Sequence, residues 1–356
     1  LKHLTDLLTY PGNGVHTVHT AKEKKEQIFK LAFGSTNPKI VQKKWNESLK
    51  KISDQETYIL GIPSDNGGGI QRGANWGPLA IREKIYENFN PKDLGDIRVI
   101  PHLLHDKYLN QDTIKACQKA LYGSACSLPV SPLSICEKVL EKIYKKFPNI
   151  KIFGLGGDHS VSYPLVKSWL KHRKDKSKAG IIHFDAHTDL LEKRLGIDLC
   201  FGTWTFQILE DLYSRDHIVQ LGIRSSGKTK QYWKKTLGVS QIWSHEINSR
   251  GVNSVYKKIK KHFNKIGIEE IYITFDIDAL DAKYAAATGT PEHNGLTPPT
   301  CSALIKLLGQ DFKITGADLV EVAPFVWPEN ISPIDQRSSL DVAGDIAGII
   351  YEELKK

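Results

Sequence analysis

The sequence predicts an α/β protein built around a mainly parallel sheet. Short apolar runs rich in β-branched residues recur along the chain, and segments of helical character lie between many of them. Strand, crossover helix, strand, repeated in this way, buries both faces of a parallel sheet. The intervals are too short for a second independent core, so residues 57–356 read as one domain.

Residues 1–56 are polar and mixed, with a turn at PGNG (11–14) and a helix around AKEKKEQIFKLAF; they read as an N-terminal extension or cap. YILGIP (58–63) is the first strand. It opens into the glycine-rich SDNGGGIQRGANWG, a rim for a pocket, and a helix begins near Pro78, where proline suits the first turn. Further strands are expected at IRVI (97–100), KIFGLGG (151–157), GIIHFDA (180–186), HIVQLGI (217–223), QIW (241–243), IYITFDID (271–278) and ITGADLVEVA (314–323). Helices are expected at SICEKVLEKIYKKF (134–147), at SALIKLLGQD (302–311) and at the closing DVAGDIAGIIYEELKK.

Composition excludes several classes. With 40% hydrophobic residues and a mean hydropathy of −0.33, the chain suits a globular protein with a large core. No run approaches the length of a membrane span, and LKHLTDLLTYPGNG lacks the pattern of a secretory signal. The cysteines, Cys117, Cys126, Cys136, Cys200 and Cys301, are odd in number and form no CxxC pair. They argue against a disulfide scaffold or a thiolate zinc site and fit a reducing cytoplasm. There is no methionine. The net charge of +9 comes mostly from dispersed lysines. In the basic run YKKIKKHFNK (256–265), lysines flank Ile259 and Phe263 at helical spacing, as on the wet face of a surface helix. KHRKDKSK (171–178) is equally dense, but no nucleic-acid module accompanies either run, and no such partner is expected.

Ligands of parallel sheets meet the chain beyond the carboxyl ends of strands, and three of those ends are loaded. GLGGDHS brings Asp158 and His159, HFDAHTD brings Asp185, His187 and Asp189, and TFDIDALD brings Asp276, Asp278 and Asp281. A lone DxD is as readily a cap or an ion pair; three clusters with two histidines are not. Asp185, Asp189, Asp276 and Asp278 would place four negative charges in one dry pocket, which two divalent cations would balance. With His159 and His187 the donor set mixes nitrogen and oxygen, suiting manganese, iron, cobalt or nickel. His183 reads as a core histidine supporting a ligand from behind, while Asp158 and Asp281 orient a ligand or hold a loop. Two neighbouring metals lower the pKa of a water and steady a tetrahedral intermediate, which supports hydrolysis at a planar carbon or at phosphorus.

Taken together, GIPSDNGG with RGANWGPLAIR, GLGGDHS, HFDAHTD, ITFDIDALD, ATGTPEHNGLT and ADLVEVAP resemble the ureohydrolase superfamily of arginases, agmatinases and formimidoylglutamases, in order over residues 58–350. The resemblance implies a three-layer α/β/α sandwich with a mostly parallel eight-stranded sheet and two Mn2+ per subunit. By position, His159 and Asp189 would complete one manganese site and His187 and Asp278 the other, with Asp185 and Asp276 bridging. Asp281 would sit behind and help to orient the nucleophile. Glu321 matches the carboxylate that grips the guanidinium or formimidoyl group, and a planar amidine does present paired N–H donors to a carboxylate. The resemblance also implies a homo-oligomer acting on a small molecule.

One segment departs from the pattern. Arginases and agmatinases usually carry a His-Gly pair after DAHxD, whose histidine moves protons; here CFGTWTFQILED (200–211) has Phe201 in that place. The segment resembles the corresponding stretch of formimidoylglutamases. Thr203, Trp204 and Thr205 are expected at the pocket entrance, with Trp204 as an apolar wall. Arg224 would suit a carboxylate-bearing substrate, and His245 is a candidate to replace the missing proton carrier. The leading reading is a binuclear manganese hydrolase of a linear, non-peptide C–N bond, with formimidoylglutamate or an agmatine-like guanidine as substrate. A non-catalytic metal-binding relative and a metallophosphatase are the alternatives.

Overall fold

The computed structural model describes residues 4–15, 21–67, 71–124, 126–324, 334 and 337–356. Among the described residues nine strands form one sheet: β1 (Leu8–Thr9), β2 (Thr57–Ile62), β3 (Lys92–Ile97), β4 (Lys151–Gly156), β5 (Ala179–Phe184), β6 (Ile218–Leu221), β7 (Ser240–Ile242), β8 (Glu270–Asp276) and β9 (Lys313–Val320). Their spatial order is β1-β3-β2-β4-β9-β8-β5-β6-β7. Eight strands are mutually parallel. The ninth, β1, pairs antiparallel with β3 at the edge, so the expected eight-stranded sheet gains one short strand from the N-terminal segment.

Alternate side chains of each central strand serve opposite faces. Ile181 joins one apolar cluster with Val166 and Trp169, whereas Ile182 and Phe184 join a second with Phe263 and Ile346. The helices Pro132–Lys146 and Ser162–Lys171 cover the first face, and Val252–Ile266, Pro298–Asp311 and Ser339–Lys355 cover the second. That makes three layers. Strands buried on both faces have no polar alternation to show, which is why they read as continuous apolar runs. In Val252–Ile266 the buried stripe is Val255, Ile259 and Phe263, with the lysines around it.

The third strand lies earlier than IRVI. It spans KDLGDI, and its two aspartates are neutralised from within by the fully buried Arg82. Arg82 Nε donates to Asp93 Oδ2 (2.8 Å), Nη2 to Gly95 O (2.9 Å), and Nη1 to Asp96. Asp96 in turn accepts the N–H groups of Gly12 and Gly14 at 2.8 and 3.1 Å, fastening the PGNG turn to the sheet. Gly95 has φ +94°, and a Cβ there would stand 2.0 Å from Thr9 O. Only glycine lets β1 approach. Leu4, Leu7, Leu8 and Trp45 are buried in the same layer.

The chain passes directly from β4 to β5, yet β9 and β8 lie between them. The reversal of strand order opens a crevice at the carboxyl ends of β4, β9, β8 and β5. These four neighbours carry His159, Glu321, Asp276 and Asp185 at or just beyond their ends.

Candidate metal centre

Each loaded strand end is held by its own backbone. After β4 the chain turns at Gly157, where a Cβ would meet Ser64 O at 1.6 Å, so two backbones pack directly. Asp158 caps the following turn, accepting the N–H of Ser160 (2.9 Å) and of Asn66 (2.5 Å). Burial, with Asp65 nearby, raises its carboxyl to about 6. Asp158 thereby ties the glycine-rich loop to His159. After β5, Asp185 accepts the N–H of His187 (2.5 Å), and at β8 Asp276 accepts the N–H of Asp278 (2.8 Å). Asp278 accepts the N–H of Ala186 (3.0 Å), locking the two ends together. Asp189 and Glu321 both have positive φ, 51° and 63°, a conformation that costs a non-glycine residue energy and concentrates at functional sites.

The six expected ligands converge. His159 Nδ1 lies 3.1 Å from Asp185 Oδ2, 3.2 Å from Asp189 Oδ2 and 3.1 Å from Asp276 Oδ2. His187 Nδ1 lies 3.0 Å from Asp278 Oδ2 and 3.5 Å from Asp185 Oδ1. Two donor groups result, and Asp185 belongs to both.

The hydrogen bonds around His159 decide what stands at Nδ1. Thr274 Oγ1 gives its proton to Asp318 Oδ1 (2.7 Å), so it accepts from His159 Nε2 at 3.2 Å. In a neutral imidazole the other nitrogen then carries a lone pair. Nδ1 is buried, makes no well-formed hydrogen bond, and faces three carboxylate oxygens. A lone pair among anions requires a cation between them. Without a metal that place is taken by a proton: burial opposes it, but Asp185, Asp189 and Asp276 hold His159 protonated well above the usual histidine range. Burial together with Asp278 and Asp185 drives Asp276 well above the carboxylate range. The residues fit two divalent cations by charge, donor type and burial.

His183 supports the set from behind. Gln220 Nε2 donates to Thr188 O (2.7 Å) and faces His183 Nδ1 (3.0 Å), leaving His183 Nε2 to donate to Asp185 Oδ2 (2.8 Å). Thr290, from ATGTPEHNGLT, donates to Asp278 Oδ2 (3.1 Å). Nothing in the sequence alone singles out Gln220, Thr274, Asp318 or Thr290.

A cavity of about 820 Å³ opens over the cluster, with His159, His187, Asp189, Asp276 and Glu321 in its lining. Glu321 Oε1 accepts the N–H of His159 (2.8 Å). Phe201 is in the wall. Thr203 and Trp204 are not at the entrance. Both are fully buried, Thr203 Oγ1 donating to Cys200 O (3.1 Å) and Trp204 Nε1 to Asp189 Oδ2 (2.8 Å). The indole is thus a prop behind the Asp189 carboxylate, because its N–H needs a buried acceptor.

Arg224 and Asp281 also lie elsewhere, in a second cavity of about 810 Å³ with His245. The Arg224 guanidinium donates to six backbone carbonyls, among them Asp278 O (2.7 Å), Glu292 O (3.0 Å) and His293 O (2.8 Å). No donor is left over for a substrate carboxylate. Asp281 accepts the N–H groups of Lys283 (3.0 Å) and Gly295 (3.1 Å), closing a loop rather than facing the cluster.

A sequence model of the arginase family matches residues 55–338. The chain belongs to the arginase family. Its relatives include the mitochondrial guanidino acid hydrolase of Homo sapiens, 31% identical over 76% of this chain and 72% of the relative. The agmatinase of Escherichia coli O7:K1 is 30% identical over 76% and 81%. Among solved structures, formimidoylglutamase from Bacillus subtilis superposes with a TM-score of 0.64 at 20% identity, covering 85% of this chain and 88% of the other. Proclavaminate amidino hydrolase from Streptomyces clavuligerus also gives 0.64, at 24% identity over 84% and 92%. These two likenesses show the arginase fold; the family match shows a ureohydrolase-type enzyme.

Proposed function

We propose that this arginase-family enzyme is a two-manganese hydrolase that cleaves a non-peptide C–N bond of a linear guanidino compound and releases urea. The observation that carries the reading is Asp185, whose two carboxylate oxygens belong to two separate nitrogen-oxygen donor groups. His159 and Asp189 would complete one site, His187 and Asp278 the other, and Asp276 would join Asp185 between them. Two cations there supply positive charge and a water of lowered pKa. Trp204, His183 and Thr274 keep the donors oriented. Glu321 would accept the amidine N–H groups while its Oε1 stays fixed by the His159 amide. Asp281 and Arg224 would contribute only by holding the loop that presents Asp278.

Phe201 favours a second reading. The wall position expected to carry protons holds a phenyl ring, and expelling ammonia from a formimidoyl carbon has less need of a carrier. The family match and the named enzymes support hydrolysis over the phosphatase and non-catalytic alternatives. Five free cysteines support a reducing, cytoplasmic setting, and we extend the proposal to a homo-oligomer, in keeping with the family.

The test is metal counting on the purified chain, followed by separate urea and ammonia assays on guanidinobutyrate, agmatine, arginine and formimidoylglutamate. Urea from a guanidine with two manganese ions bound supports the first reading. Ammonia without urea supports the second. Phosphate-ester turnover alone would overturn both.

A further inference from the structure

We propose that the substrate of this site ends in a carboxylate, and that Arg194 rather than Arg224 receives it. The inference rests on the amidine reaction proposed above. Three features of the cavity carry it.

Arg194 lines the same cavity as the metal cluster. Its backbone is fixed by a two-residue turn: Arg194 N–H donates to Ile197 O (2.8 Å) and Ile197 N–H to Arg194 O (2.9 Å). Leu195 and Gly196 between them have φ of 50° and 86°, the pair of left-handed residues such a turn needs. The guanidinium carbon stands 4.6 Å from the centre of the Phe201 ring. A guanidinium held over an aromatic face keeps its N–H donors available. Among the described residues it makes no hydrogen bond and no ion pair, whereas Arg224 is fully used.

Lys228, on the same cavity, repeats the arrangement. Its Nζ lies 5.4 Å from the Tyr232 ring centre, with no acid partner among the described residues. The acids are distributed the other way. Asp189, Asp276 and Glu321 are buried, and Glu192, the one exposed acid among the described lining residues, pairs with neither cation. With Asp189 and Asp276 taken up by the metals, Glu321 is the acid left on the floor to meet an amidine, while Arg194 and Lys228 stand exposed on the outer wall. An extended molecule with an amidine at one end and a carboxylate at the other matches both ends. One with an ammonium tail meets Arg194 and Lys228 unfavourably. Phe201 then has a use of its own: it is the platform for Arg194.

The experiment compares guanidinobutyrate and formimidoylglutamate, each with its amide, on manganese-loaded enzyme, alongside calorimetric binding of the same compounds. An acid is expected to exceed its amide in kcat/KM by about tenfold, mainly through KM. Arg194→Ala should bring the two near parity with metal content and melting temperature unchanged. Arg194→Lys should fall between, keeping charge but losing the planar fork. Equal turnover of acid and amide by the parent enzyme, or an undiminished preference in Arg194→Ala, would overturn the inference and leave the amidine reaction standing. Arg194-dependent binding of an acid that is never hydrolysed would support the carboxylate site and overturn the reaction. Binding of neither acid would overturn the carboxylate site itself.

Discussion

Trp204 donates its indole N–H to Asp189 Oδ2 over 2.8 Å, from a ring whose centre lies 4.8 Å from that of His159. One side chain therefore orients one donor by a hydrogen bond and braces another by contact. Partners that orient metal ligands typically alter metal affinity ten- to a hundredfold when lost. Trp204→Phe keeps a buried aromatic ring but removes the donor together with part of the indole's volume. The expected result is roughly tenfold weaker metal binding at the His159–Asp189 group, read by chelator competition at a temperature where the variant is fully folded, its melting temperature being lowered by the lost volume. Unchanged affinity would make the indole mere packing.

Asp185 links the two donor groups, and that makes a stoichiometric forecast. Asp185→Asn retains shape but removes the shared charge, so both ions should be lost after desalting. Asp278→Asn touches only the group with His187 and should leave the His159 group loaded. Elemental analysis of the two variants decides the point. Two ions retained in Asp185→Asn would mean that the groups do not share it.

How much of this site was visible beforehand depended on where each residue finds its partner. His159, Asp185, His187 and Asp189 announce themselves because polar groups close an otherwise apolar strand. The role of Arg224 is hidden in the sequence because six backbone carbonyls satisfy it, and carbonyls leave no trace there. In the sequence Trp204 resembles an apolar wall, although its one polar atom governs its place. Arg194 was silent, since its partner is the Phe201 ring. The fold shows the same division. Apolar parallel strands were legible, but KDLGDI was not, because its charges are cancelled by Arg82 on a preceding helix.

That buried cluster gives a stability test. Arg82 is fully enclosed and Asp96 nearly so, and removing one partner of such a pair strands the other. Asp96→Ala also deprives Gly12 and Gly14 of their acceptor. A loss of about 3 kcal/mol is expected, reduced from the upper range because Asp93 still meets Arg82. Urea unfolding measures it. A change below about 1 kcal/mol would show that the N-terminal turn contributes little.

Glu321 is the residue whose charge the proposed substrate most needs. Burial, then Asp276 and Asp158, raise its carboxyl well above the usual range, so a bound amidinium would favour its ionised form. Glu321→Gln preserves size, the positive φ and an oxygen for the His159 amide, and it removes only the negative charge. KM for the preferred amidine should rise roughly ten- to a hundredfold, the scale of a hydrogen bond to a charged group. Metal content should stay at the parent level, since Glu321 contacts His159 through the backbone N–H and not through the ring. The split between the two readouts is what makes the variant informative. A loss of metal would reassign Glu321 to the metal cluster, and an unchanged KM would place the amidine elsewhere in the cavity.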